Sequence, residues 1–339
     1  MDQRRESLAL WAAENILRLT GIEAGNQLEV VSGDASFRRY FRLRHQDRHW
    51  ICVDAPADKE DNPRFVRIAQ AWRSGGVHVP EVLATDYAQG FMLLEDFGDC
   101  LLWPALHADE SSEATVAELY QRAIQELFSI QSLNGGDLPL YDRALLEQEC
   151  NLFIDWLCDK QLSLDLKADD RRVLEGFREV LVANALSQPQ VAVHRDYHSR
   201  NLMLCDDGRI GVIDFQDAVK GPATYDLVSL LRDCYVRWPA HLVEELAVRY
   251  WKQARKLGIW PGDWEDFHRA FDFMGMQRHM KAAGIFARLN LRDGKPVYLD
   301  SIPNTCQYLR DVAGRYPELD EFVRWYDQRF APALPGLNQ

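Results

Sequence analysis

Apolar residues recur along the chain with two periods, and the period changes near residue 100. In residues 7–19, Leu8, Trp11, Ala12, Ile16 and Leu19 share one helical face, and Gly21 stops the run. Short β-branched and aromatic runs at 28–31, 37–44, 50–53, 77–81 and 91–94 predict strands, interrupted by a helix over 62–74. From Leu101 onward the spacing is helical: 114–131, 145–158, 171–185, 225–236, 241–257 and 264–289 predict helices. Closing helices are expected within 308–330, and a frayed end over 331–339. The pattern predicts an α+β protein, with a small β-rich lobe over 1–98 and a large, mainly helical lobe over 99–339. Phe153 and Trp156 read as core aromatics, with sugar stacking as the alternative.

One stretch of the helical half breaks the period. Residues 191–217 read V-A-V-H-R-D-Y-H-S-R-N-L-M-L-C-D-D-G-R-I-G-V-I-D-F-Q-D. Val191, Ala192 and Val193 suit a strand end, and His194, Arg195 and Asp196 follow at once. Two apolar runs, 202–204 and 210–213, flank the turn signal Asp206-Asp207-Gly208, which predicts a β-hairpin. Asn201 enters that hairpin five residues after Asp196, and Asp214 leaves it thirteen residues later.

Composition adds exclusions. The 339 residues are 47% hydrophobic and 27% charged, as in globular proteins, and suffice for one large or two ordinary domains. A net charge of −13 argues against a nucleic-acid partner. Seven Cys with no Cys-x-x-Cys and no Cys/His pairing at zinc spacing point to reduced thiols and a cytoplasmic location. Neither a signal-peptide pattern nor a run of eighteen apolar residues is present, so no membrane association is expected. Nothing in the chain calls for an obligate protein partner.

The hairpin stretch suits phosphoryl transfer from ATP. The transferred group is negatively charged, so Mg²⁺ must be held near it, and Mg²⁺ takes one or two hard oxygen ligands from protein. Asn201 and Asp214 are the expected ligands. Asp196 is the expected acceptor of the substrate's hydroxyl proton, and His194 the brace behind it. A hairpin with merely solvated acidic ends would explain any one of these residues, but not four residue types at three spacings.

His-Arg-Asp, four residues, Asn, then Asp-Phe resembles the catalytic loop and metal-binding turn of the protein-kinase-like superfamily. H-R-D-Y-H-S-R-N, with His198 two residues after the Asp, is most similar to the aminoglycoside phosphotransferase and choline kinase branch. The resemblance implies a two-lobed fold, with ATP·Mg²⁺ between the lobes and a small hydroxylated acceptor. It also implies that Ser36 and nearby N–H groups reach the phosphates, and that backbone groups near Glu95 and Phe97 bond adenine. Only eight residues separate Asp217 from Asp226, too few for the activation segment that holds a peptide substrate. Asp226 matches a family position that supports the catalytic loop.

The pattern has one departure. The strand H-W-I-C-V-D-A-P carries Asp54 near the place of the family's Lys, and the helix over 62–74 contains no Glu to pair with one. Arg38, Arg39 or Arg42 is expected to supply the missing positive charge, the alternative being a solvated strand face. For Arg232 and Asp233 two readings stand, facing the cleft as substrate contacts or pairing on a helix surface. Arg278, His279 and Lys281 read either as a surface stripe or, for Arg278 and Lys281, as the site for a substrate carboxylate.

Four segments, S-F-R-R-Y-F-R, V-D-A-P, L-L-E-D-F-G-D and R-H-M-K-A-A-G-I-F-A-R-L, also resemble the anomeric sugar kinases of bacterial cell-wall recycling. That implies an amino-sugar substrate, N-acetylmuramate or N-acetylglucosamine, phosphorylated by ATP at its C1 hydroxyl. Other expectations from the residues are an aminoglycoside kinase, a kinase of choline or another hydroxyl, and a non-catalytic ATP-binding module.

Overall fold

Local sequence signals set most boundaries in the computed structural model, which describes residues 2–32, 37–108, 112–133 and 135–338. Helix α1 (Gln3–Thr20) starts where Asp2 accepts the Arg5 N–H at 3.2 Å, and Gly21 ends it at φ 72°. Strands β1 (Leu28–Ser32), β2 (Arg39–His45) and β3 (Arg48–Asp54) follow. Helix α2 (Asn62–Ser74) is capped by Asp61, which accepts the Arg64 N–H at 3.0 Å. Then come β4 (Val82–Asp86), β5 (Phe91–Glu95) and the short α3 (Leu102–Leu106).

Beyond them lie α4 (Glu113–Gln131), α5 (Arg143–Leu152) and α6 (Ala168–Ser187), then β6 (Gln190–Val193) and the hairpin β7 (Leu202–Leu204) and β8 (Ile210–Val212). Strand β9 (Val219–Pro222) precedes α7 (Tyr225–Leu231), α8 (Ala240–Lys256), α9 (Trp264–Asp293), α10 (Ile302–Ala313) and α11 (Asp320–Trp325). Among the described residues no helix is long and apolar enough to cross a membrane.

The chain divides into two compact units, Met1–Ser112 with Arg200–Asp217, and Glu113–Ser199 with Ala218–Gln339. The first unit holds an antiparallel sheet in the order β1-β2-β3-β5-β4. Its core joins Leu8, Ala12 and Ile16 of α1 to Phe41, Leu43, Cys52, Phe91 and Leu93 of the sheet. The β7–β8 hairpin, expected within 99–339, folds onto this unit. Leu204 N–H bonds Cys100 O at 2.7 Å, and Val212 N–H bonds His78 O at 2.8 Å. Residues 77–81 are therefore not a strand: Pro80 lacks a donor, and the His78 carbonyl is taken by β8.

In the second unit, β6 pairs with β9, a strand formed within the short connection between Asp217 and Asp226. The 30-residue α9 packs against α5, α6, α7, α10 and the turn after α5. It is covered on several sides, so it buries Asp272, Gln277, Arg278, His279 and Lys281 as well as its apolar residues. The surface-stripe reading of 278–281 is thereby overturned. The helix expected over 145–158 is α5 followed by a π-helical segment, Phe153–Gln161. The helix expected over 225–236 stops at Arg232, where φ is −121°, and Asp233 accepts the Tyr235 N–H at 3.1 Å. The tail expected to fray forms 3₁₀ turns over Ala331–Asn338, and Leu337 is buried.

Backbone meets backbone where α9 crosses the end of α5. A Cβ at Gly284 would lie 2.2 Å from Leu152 C and 2.4 Å from its O. Neither can move without displacing a helix, so Gly284→Ala should destabilise the fold by about 2–3 kcal/mol. Denaturant unfolding of the variant against the wild type measures this, and an unchanged midpoint would refute the packing argument.

Candidate active site

In the second unit, β6 carries the chain to the loop that begins at His194. Asp226, wholly buried in the first turn of α7, accepts the His194 N–H at 2.7 Å and the Arg195 N–H at 3.0 Å. Arg195 has a left-handed φ of 77°, a conformation costing a residue with a Cβ about 1–2 kcal/mol. Its guanidinium is tied to buried Glu149 of α5. The His194 ring is buried, its Nδ1 accepts the Asp196 N–H at 3.2 Å, and it meets the Tyr197 ring in a T-shaped contact. Backbone and ring contacts thus determine where Asp196 points.

Burial pushes the Asp196 carboxyl up, but Lys281, then His198, His194 and Arg195, outweigh it and hold its pKa below the ordinary value. Asp196 is accordingly an anion at neutral pH, fit to accept a proton. Lys281 Nζ lies 3.2 Å from Glu149 Oε1 and donates to Tyr225 Oη at 3.0 Å. Glu149 also accepts from Tyr141 and, at 3.4 Å, from Gln277. Lys281 is thus part of a buried charge cluster around the loop. The sequence reading missed Glu149, which offered no motif, only a Glu in an amphipathic helix.

Arg278, one helical turn from Lys281, donates to Cys234 Sγ at 3.3 Å and lies in the field of Asp233 and Asp196. His279 points elsewhere, stacked on Tyr308 and bonded to the Arg232 carbonyl at 3.0 Å. Asp233 accepts from Ser199 Oγ at 3.2 Å, while Arg232 pairs with Asp272 at 2.6 Å, so the two neighbours form no surface pair. His198 packs edge-on to Tyr235, and burial first, then Arg278, lowers its pKa.

In the first unit, Asn201 and Asp214 meet at the open end of the hairpin. Asn201 Nδ2 donates to Asp214 Oδ2 at 3.4 Å, and the Ile213 N–H bonds Asn201 O at 3.1 Å. Asp214 has φ 66°, and Gln216 Nε2 donates to its Oδ1 at 2.7 Å. Phe215 is buried against Phe65 and Trp72 of α2, which anchors the turn. A carboxylate beside an amide oxygen, with no sulfur or imidazole, fits a hard cation such as Mg²⁺.

The three arginines diverge. Arg39 Nε donates to Asp54 at 3.0 Å, and Arg4 donates to the other oxygen of that carboxylate, also at 3.0 Å. Arg42 is buried, forked onto Asp96 at 2.9 Å and bonded to Gly98 O at 2.9 Å. Arg38 is buried too, and pairs with Glu60 at 3.0 Å. Tyr40 lies in the field of both this last pair and the Asp214 turn: burial lifts its hydroxyl to about 12, and Asp214 and Glu60 raise it while Arg38 lowers it. Glu60 precedes α2 by two residues, so a search of the helix alone passes over it. Glu95 accepts from Arg73 at 2.8 Å and from the Glu81 N–H at 3.1 Å, and the Phe97 ring packs 4.6 Å from that of His78. Ser36 lies outside the described residues.

Residues 27–264 match the phosphotransferase enzyme family. The chain belongs to that family. It is 44% identical to the N-acetylmuramate/N-acetylglucosamine kinase of Pseudomonas aeruginosa, over 94% of this chain and 95% of that protein. The kinase of the same name from Neisseria meningitidis serogroup B is 42% identical, over 90% of this chain and 91% of that protein. Among solved structures, the choline kinase LicA from Streptococcus pneumoniae superposes with a TM-score of 0.61 at 12% identity, covering 90% of this chain and 99% of that one. This phosphotransferase therefore has the kinase-like α+β fold expected from its motifs.

Asp226 gives the loop a pH dependence. Burial raises its pKa to about 6, against the pull of His194 and the two N–H donors. Below pH 6 it gains a proton and holds the loop less firmly, while Asp196, whose pKa is lowered, remains ionised. Turnover should fall as pH drops through about 6. Asp226→Asn should abolish that limb and lower kcat at pH 8 roughly tenfold to a hundredfold, the worth of a hydrogen bond to a charged group. A pH–rate profile unaltered by the substitution would contradict this.

Proposed function

We propose that this phosphotransferase is an ATP- and Mg²⁺-dependent kinase of N-acetylmuramate and N-acetylglucosamine, acting on the anomeric C1 hydroxyl in the recycling of cell-wall amino sugars. The observation that carries the catalytic part is Asp196, kept anionic by Lys281 and its neighbours on a loop fastened by Asp226. The choice of sugar rests on the relatives at 44% and 42% identity. All seven cysteines are free thiols, which suits a reducing cytoplasm.

In this reading Asp196 orients the C1 hydroxyl and takes its proton as the oxygen bonds to the γ-phosphorus and the bond to ADP breaks. Asn201 and Asp214 would hold Mg²⁺, which when bound offsets charge on the phosphates. Asp54 leaves no strand lysine, and all three arginines pair with carboxylates, but the Arg38–Glu60 pair shares Tyr40 with Asp214, so Arg38 is the assigned phosphate contact. Glu95 and Phe97 belong to the assigned adenine turn. His198, Asp233 and Arg278 are the assigned sugar contacts, with Arg278 facing the lactyl carboxylate that only N-acetylmuramate carries. Lys281, already held by Glu149, acts through Asp196 instead.

ATP consumption over a panel of amino sugars, aminoglycosides and choline tests the assignment. Only the two amino sugars should be turned over, with the phosphate on C1. Asp196→Asn should lower kcat about a thousandfold while ATP still binds. Undiminished turnover, or consumption of an aminoglycoside in place of the sugars, would overturn it.

Two further variants separate the ends of the site. Arg38→Ala should raise KM for ATP about tenfold with either sugar, whereas Arg278→Ala should raise KM for N-acetylmuramate about tenfold more than for N-acetylglucosamine. Equal losses on both sugars for Arg278→Ala would remove it from carboxylate recognition.

A further inference from the structure

Outside the catalytic residues, one group of metal-capable side chains stands out among the described residues. His78, Cys205 and Asp207 each offer a ligand atom, and the three atoms lie within 4.8 Å of one another. They come from the irregular segment before β4 and from the turn of the β7–β8 hairpin, all in the first unit. A zinc-spacing search of the sequence misses them, because 127 positions separate His78 from Cys205.

The backbone brings them together. Val212 N–H bonds His78 O at 2.8 Å, Cys205 N–H bonds Arg209 O at 3.1 Å, and Gly208 N–H bonds Cys205 O at 2.9 Å. Asp207 Oδ1 takes the Arg209 N–H at 2.9 Å, which orients the carboxylate and leaves Oδ2 for a further contact. The His78 ring is buried, tilted against the Phe97 ring at 4.6 Å and bonded to the Ile210 carbonyl. A backbone carbonyl on one ring nitrogen is the arrangement that orients a metal-binding imidazole. Only glycine fits at 211, since a Cβ there would lie 3.0 Å from Cys205 Sγ and 2.5 Å from the Phe97 ring. Cys205 is half-buried and Asp207 exposed, so an ion can enter from solvent.

We propose that His78, Cys205 and Asp207 form a site for one zinc-class divalent ion, which clips the hairpin turn to the segment before β4. One imidazole nitrogen, one thiolate and one carboxylate oxygen, with a water as fourth ligand, satisfy the tetrahedral preference of Zn²⁺. The mixed soft and borderline donors disfavour Mg²⁺, so the site is chemically separate from Asn201 and Asp214. Burial and Arg209 lower the His78 pKa, so the imidazole is neutral and ready to bind. Burial and then Asp207 raise the Cys205 thiol to about 11, so each ion bound must displace one proton, which passes to the buffer.

The test uses the metal-free full chain in excess Mg²⁺, which fills the hard-oxygen site. Co²⁺ is added as a spectroscopic probe and then displaced by Zn²⁺. One equivalent should give a thiolate-to-cobalt charge-transfer band and tetrahedral visible bands. Zn²⁺ should abolish both, release about one proton per ion, and raise the wild-type Tm. Cys205→Ser should eliminate the charge-transfer band. Asp207→Asn, at an exposed position where folding is safe, should weaken binding about tenfold to a hundredfold and reduce the zinc-induced rise in Tm. Cys100→Ser, removing an exposed thiol outside the cluster, should change nothing. Absence of the band in the wild type overturns the proposal. So does a band that survives Cys205→Ser, or affinity indifferent to Asp207→Asn.

Discussion

A buried carboxylate that bonds two consecutive backbone N–H groups is the constraint on which the 194–198 loop depends. Asp226 accepts from His194 and Arg195 with no solvent around it. Keeping it ionised at neutral pH, with its pKa raised from 3.8 to about 6, costs about 3 kcal/mol. The two charge-assisted bonds, each worth about 1.5–3 kcal/mol, are what that cost secures. They also hold Arg195 in its left-handed conformation, and that conformation turns the next residue, Asp196, out of the strand direction. Glu149 supplies the second restraint by binding the side chain of Arg195.

Lys281 links the loop to the longest helix of the unit. A buried lysine alone would lose its charge, but Glu149 and Tyr225 surround this one, and it remains protonated. Its field then keeps Asp196 an anion despite burial. The charge of Asp196 is therefore set by a cluster drawn from α5, α7, α9 and the loop itself, whose members are far apart in sequence. Removing one member leaves an opposite charge buried without its counterpart, which makes such clusters sensitive to single substitutions.

In the first unit the substitution of Asp for a strand lysine has spread. Asp54 holds Arg4 and Arg39, Asp96 holds Arg42, and only the Arg38–Glu60 pair neighbours the Asp214 turn. The sequence reading named all three arginines because a strand face offers them equally. Which carboxylate each of them meets depends on strand pairing and on the position of α1, of the segment before α2 and of the 96–99 turn, and none of these is encoded within the strand.

Much of the architecture was legible in the chain itself. Periodicity, caps and turn residues located α2, α4, α8 and the hairpin to within a residue, and α1, α6 and α9 to within a turn, because those signals act over one or two turns of chain. The spacing of His194, Asp196, Asn201 and Asp214 pointed to the phosphotransferase family to which the chain belongs, since a loop and a hairpin are local structures. Periodicity failed where distant chain competes for the same backbone. Residues 77–81 bond to β8 instead of forming a strand, α7 ends early under Asp233, and the apparent surface stripe of α9 is buried on several sides. The sequence by itself determined the local elements and the family motif, and with them the candidate groups for proton transfer and cation binding. Tertiary structure alone decided their charge, their partners and their burial, because those depend on fields and contacts between residues that the chain order does not bring together.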